Sequence, residues 1–251
     1  MTAAMSRYLA LPGFGDTELA RLRGADVAVI GAGGLGAPVI GYLAGAGLGR
    51  LRIIDDDRVE AVNLSRQTLF TLADVGRPKA VVAADRVRGV APDTVVQPIL
   101  TRLTGQSAGD QLGGADVVLD CSDNLPTRYV ATRFTQDQGV PLVWGAVGQY
   151  GGQCSVALPG GPCFGCLYGP EDQVADWPNA ESGGVFAPVC GVVGSLMAGE
   201  TLKLITGIGQ PMAGRLAVID LESATLATIE IRPDPGCAMC HADGRRGGRF
   251  Q

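Results

Sequence analysis

Apolar and polar residues fall in repeating blocks along this chain: a short β-branched run, a glycine turn, then a longer stretch with helical spacing. "ADVAVIGAGGLG" (25–36) predicts a strand, a turn and a helix start, and "APVIGYLAGAGL" (37–48) a helix whose small residues permit close packing on a sheet. "GRLRIIDDD" (49–57) predicts a second strand, and residues 78–90 a helix opened by proline. "TVVQPIL" (94–100) predicts a third strand, with Pro98 pointing to an edge or irregular position. "ADVVLDCSDN" (115–124) predicts a buried fourth strand, residues 125–139 a helix closed by Gly139, and "VPLVWGAVG" (140–148) a fifth strand. Such alternation implies a parallel, doubly wound sheet.

The pattern then changes. "GQYGGQCSVALP" (148–159) alternates like an antiparallel strand, and a proline- and glycine-rich loop is expected from 159 to about 188. "VVGSLMAGETLKLITG" (192–207) has helical spacing and ends at a glycine, and residues 214–232 suggest a hairpin around Glu222 and Ser223. With no internal repeat or linker, one continuous α/β domain with a late antiparallel extension is expected.

Composition narrows the function. A net charge of −5 argues against a binder of nucleic acid or an anionic membrane, whose affinity needs a basic face, and no apolar run is expected to span a bilayer. The start of the chain lacks the pattern of a signal peptide, so a cytoplasmic location is expected. There is a single histidine, His241, next to the last cysteine, which argues against a triad hydrolase.

Gly31-Ala32-Gly33-Gly34-Leu35-Gly36 matches G-x-G-x-x-G between strand and helix, where backbone N–H groups can approach phosphates. The alternative is a glycine turn without a ligand. Asp55 follows at the usual distance of a ribose-binding acid, about twenty residues on. The remaining polar residues do not suit hydride transfer. Asn63, Arg66 and Gln67 follow the second strand, Lys79 begins a helix, and Asp123 and Asn124 end the fourth strand. Two cations and an acid at the carboxyl ends of parallel strands suit a triphosphate and Mg2+; solvated surface charge is the alternative.

"GAGGLG", "IIDDDRVEAVNLSRQTLF", "VGRPKA", "LDCSDN", "GVFAPVCGVVGSLMAGETLK" and two paired cysteine knuckles occur in one order from about Val27 to Cys240. In this the chain resembles the ThiF/MoeB family, bacterial relatives of ubiquitin-activating enzymes. The resemblance implies a Rossmann-like, mainly parallel sheet with helices on both faces, and one adenylation domain over 1–251. A nucleotide-binding half would cover about 25–145, and a carrier-binding and zinc half about 146–240. It implies ATP-dependent adenylation of the C-terminal carboxylate of a ubiquitin-like sulfur-carrier protein ending in Gly-Gly. Gly31, Gly33, Gly34 and Gly36 would form the phosphate turn. Asp55 and Asp57 would lie on the nucleotide, and Asn63, Leu64, Ser65, Arg66, Gln67 and Lys79 around the triphosphate. Asp123 would hold Mg2+ beside Asn124, and Arg66, Lys79 and Asp123 would be the catalytic set. Other readings are adenylation of a different terminal carboxylate, as in a ribosomal peptide or modified nucleoside, and a noncatalytic carrier-binding subunit.

Two positions depart from the family. Its crossover-loop cysteine is matched by Ala180, so either the adenylate passes directly to a separate sulfur donor or the alanine is an engineered substitution. The N-terminal R-Y-x-R-Q is reduced to Arg7-Tyr8, which leaves open whether Arg7 reaches a partner subunit. A homodimer is expected from the small, apolar segments 41–49 and 185–199 as well as from relatives.

Four of the seven cysteines form Cys163-x-x-Cys166 and Cys237-x-x-Cys240, spaced for a tetrahedral four-thiolate Zn2+ site without an open position. A redox dithiol would instead sit at a helix start within a βαβ unit; His241 is a competing ligand. Cys121, Cys154 and Cys190, flanked by apolar or small residues, are expected to be buried and structural.

Overall fold

The fold is seen in a computed structural model that describes residues 5–174 and 183–240. Ala180 and His241 lie outside the described residues. One eight-stranded sheet runs in the order β3-β2-β1-β4-β5-β6-β7-β8. β1 (Asp26–Ile30), β2 (Arg50–Ile54), β3 (Val95–Ile99), β4 (Val117–Asp120) and β5 (Leu142–Gly148) are parallel to one another. β6 (Gly151–Ala157), β7 (Arg215–Asp220) and β8 (Thr225–Glu230) extend it antiparallel. Pro98 sits in edge strand β3, opposite Ile53, as its missing N–H donor requires.

The central strands are apolar on both faces because both are covered. Val27, Val29, Leu119 and Val143 point into one core, with α2 (Asp16–Gly24), α3 (Gly36–Gly45), α4 (Lys79–Val90) and α8 (Ala187–Thr206). Ala28, Ile30, Val118, Leu142 and Trp144 point into the other, with α5 (Ala108–Leu112), α6 (Leu125–Gln138) and α7 (Phe164–Tyr168). The first helix, α1 (Ser6–Leu9), carries Arg7 exposed.

Four expectations need correction. The segment from 159 to 188 is not wholly loop, since it contains α7 and a single turn of tighter helix at Glu171–Gln173. Helix α8 starts at Ala187, before the predicted 192, with a proline in its first turn. It spans 20 residues and is apolar enough to cross a membrane by length and composition; its place against β5, β6 and α3 is that of a core helix. Finally, Gly194, one of the small residues expected at a dimer surface, is used inside the chain. A Cβ on Gly194 would lie 2.4 Å from Pro38 Cγ and 2.8 Å from the Leu35 carbonyl, so α3 and α8 meet nearly backbone to backbone.

Helix α2 was not foreseen because only Leu19 and Leu22 are buried in it. Its start is instead fixed locally, with the Glu18 carboxylate accepting from the Gly15 N–H at 2.9 Å.

Candidate active site

β1 has β2 on one side and β4 on the other, so the strand order reverses beside it and leaves a crevice beyond the carboxyl ends of β1 and β4. The glycine turn forms its floor. Gly31 has φ +90°, and a Cβ there would lie 3.0 Å from the Cys121 carbonyl. A Cβ on Gly36 would lie 2.1 Å from the Gly31 carbonyl, so this glycine closes the turn by packing and does not line the cleft. Gly33 and Gly34 do line it, just before the amino end of α3, where the helix dipole favours anions.

The acidic run divides by position. Asp55 accepts from the Ala32 N–H at 2.7 Å and the Asp57 N–H at 2.9 Å, tying β2 to the glycine turn. Burial raises its pKa, while Lys79 and these two N–H donors pull the other way. Asp57 is exposed and pairs at 2.9 Å with the buried Nζ of Lys79, the first residue of α4. Asp56, not singled out in the sequence, lies at the cleft and pairs with Arg102 at 3.2 Å.

Arg66 and Gln67 also line the cleft, with Asp123 exposed and Asn124 half-buried across from them. Asn63 lies outside the lining, and its Oδ1 accepts from Arg66 Nη2 at 2.8 Å, holding that guanidinium in place. Leu64 and Ser65 do not line the cleft either. Asn124 caps α6 by accepting from the Thr127 N–H at 3.1 Å.

Other cleft residues were not legible as such in the sequence, Arg128, Cys121 and Cys190 among them. Arg128 is wholly buried behind the 122–124 turn. Cys121 and Cys190 were expected to be buried, and they are, but both also line the cleft. Burial raises the Cys190 thiol pKa despite Arg66 nearby, and raises that of Cys121 well above the ordinary range. Cys154, away from the cleft, is pushed up to about 12 by burial. Only tertiary proximity, not spacing, brings Cys190 from α8 to Gly34.

Cys163, Cys166, Cys237 and Cys240 converge, with all four sulfur atoms within 4.8 Å of one another. Cys163 and Cys237 are 3.6 Å apart, and Cys166 and Cys240 are 3.4 Å apart. A tetrahedral thiolate site with metal–sulfur bonds of about 2.3 Å needs roughly this spacing. The group can hold a metal ion. It joins the start of α7 to the segment after β8, and Gly165 fits between Met239 and Cys237, where a Cβ would lie 2.8 Å and 3.2 Å away.

A doubly wound sheet with a glycine turn, an acid at the end of β2 and cations converging at the strand-order reversal defines a Rossmann-like nucleotide-binding protein. A model of the ThiF family matches residues 5–239. The sulfur carrier protein adenylyltransferase of Thermus thermophilus is 43% identical over 240 residues, 93% of this chain and 89% of that protein. The SAMP-activating enzyme E1 of Haloferax volcanii is 40% identical over 239 residues, 95% of this chain and 88% of that protein. A crystal structure of E. coli MccB with ATP superposes with a TM-score of 0.83 over 95% of this chain and 75% of that one, at 22% identity, a likeness of fold. The chain belongs to the ThiF family.

Proposed function

We propose that the chain adenylates the C-terminal Gly-Gly carboxylate of a ubiquitin-like sulfur-carrier protein, using ATP and releasing pyrophosphate. The observation that carries this reading is the convergence of Arg66, Lys79, Asp55 and Asp123 around Gly33 and Gly34 in one cleft. The names of relatives at 40% identity and above favour a sulfur carrier over another terminal carboxylate. A noncatalytic subunit would have no need of a lysine buried to 5% exposure in the cleft.

In this reading the glycine turn and the amino end of α3 bind the phosphates, and Asp55 takes the ribose. A terminal carboxylate is already ionised at neutral pH, so its attack on the α-phosphorus needs no general base. One carboxylate oxygen bonds to phosphorus as the bond to the bridging pyrophosphate oxygen breaks. Lys79 and Arg66 offset charge on the phosphates, and alignment in the cleft lowers the barrier. Asp123, an exposed hard oxygen donor at the same cleft, fits a magnesium ion. When bound, that ion would neutralise phosphate charge.

The four-cysteine group would hold a structural Zn2+, since soft thiolates suit it and four sulfurs leave no open position. The nucleotide-binding half would be about 25–145 and the carrier-binding and zinc half about 146–240, although Ala146, Val147, Val185 and Cys190 also line the cleft. A cytoplasmic homodimer acting with a separate sulfur donor completes the proposal; sedimentation giving a monomer at micromolar concentration would remove the dimer and any trans role for Arg7. The decisive assay is ATP–pyrophosphate exchange. It should require magnesium and a carrier with a free terminal carboxylate, and a carrier lacking its last glycine should not support it.

A further inference from the structure

Behind the cleft stand two buried charges that the nucleotide motifs do not include. Asp120, at the end of β4, and Arg128, in α6, are both fully buried, with Arg128 Nε 3.2 Å from Asp120 Oδ2. Withdrawing such ions from water costs several kcal/mol each, and an apolar pair would often serve stability as well. The pair's other contacts give it a purpose. Asp120 Oδ1 accepts from both the backbone N–H of Ser122, at 2.9 Å, and the Ser122 hydroxyl. Arg128 Nη2 donates to the Ser122 carbonyl at 2.8 Å and to the Gly145 carbonyl at 2.7 Å. One ion pair therefore holds every polar group of Ser122.

Ser122 precedes Asp123, and on the other side Asn124 is fixed as the cap of α6. Among the described residues, no hydrogen bond is made by the Asp123 carboxylate itself. Its position is set through its two neighbours. The guanidinium plane of Arg128 is in turn fixed by the rings of Trp144 and Phe164, at 5.7 Å and 5.3 Å from its carbon. Phe164 lies between Cys163 and Cys166, so the same arginine links the four-cysteine group to the cleft.

We propose that Arg128 is a positioning residue, which through Asp120 and Ser122 holds the Asp123 carboxylate where it can bind a nucleotide-associated magnesium ion. This rests on the nucleotide and magnesium reading above. Lysine could neutralise Asp120, but it lacks the planar fork that reaches the Ser122 and Gly145 carbonyls together.

The test is calorimetric titration of a non-hydrolysable ATP analogue into the full chain, with magnesium and without it. Wild type should bind more tightly with magnesium. In Arg128→Lys the magnesium-free affinity should stay within about twofold, while the gain from magnesium should fall about tenfold, the size expected for losing a charged hydrogen bond. Ser122→Ala, a milder change that removes only the hydroxyl bond to Asp120, should lower that gain about threefold. A folded Arg128→Lys with the wild-type gain would overturn the proposal; if that variant does not fold, Ser122→Ala with the wild-type gain would do so. A wild type that binds the analogue equally with and without magnesium would overturn it as well. Failure of the wild type to bind the analogue at all would instead remove the nucleotide reading beneath it.

Discussion

Lys79 is 5% exposed, yet its Nζ lies 2.9 Å from the carboxylate of Asp57, whose side chain is 58% exposed. The lysine stem is packed at the head of α4, while its charge meets an acid at the cleft. An ammonium held this way is placed in advance for an anion, and Asp57 balances it until the anion arrives.

Lys79→Ala should therefore reduce kcat/KM for pyrophosphate exchange by about 100-fold, equivalent to roughly 3 kcal/mol of transition-state stabilisation. An unchanged exchange rate in folded Lys79→Ala would remove Lys79 from the catalytic set.

Gly34 faces the thiol of Cys190, and a Cβ at Gly34 would lie 2.9 Å from that sulfur. Gly34→Ala should weaken ATP-analogue binding about tenfold by shifting the turn, and Gly34→Ala with Cys190→Ala should recover part of the loss. Equal binding by the single and double variants would show that the sulfur is not the obstacle.

One zinc per chain is expected, held by the four clustered cysteines, and chelation should lower the midpoint of thermal unfolding because the ion ties two distant segments together. Cys237→Ser should reduce the bound zinc measured by elemental analysis, and Cys121→Ser should leave it at wild-type level. Iron at stoichiometry in gently purified protein would contradict the assignment.

Chemistry on this chain is expected to stop at the acyl adenylate. The methyl group of Ala180 cannot attack a carbonyl, and burial holds the Cys190 thiol neutral to higher pH than a free cysteine. Intact-mass measurement without reductant, after incubation with ATP and carrier, should find adenylated carrier and no enzyme adduct. A dithiothreitol-cleavable adduct mapped to Cys190 would refute this. Should such an adduct form, its yield should rise with pH toward the raised thiol pKa.

The linear order of residues determined much of this protein. β-branched runs ending in glycine or acid specified β1, β2, β4 and β5, because strands covered on both faces must be largely apolar. Backbone sterics at Gly31 and the missing donor of Pro98 act within a few residues, so the glycine turn and the edge strand were legible too. The paired cysteines were legible because short metal-binding loops have fixed spacing. The tertiary structure decided what depends on approach between distant segments. It set Gly194 of α8 against Pro38 and the Leu35 carbonyl, brought Cys190 to Gly34, and paired Asn63 with the cleft residue Arg66. It also set Asp120, Arg128 and Ser122 in one buried network. Periodicity reports which side of an element is buried, but not which element covers it, and a buried ion pair exists only where the fold supplies both partners together.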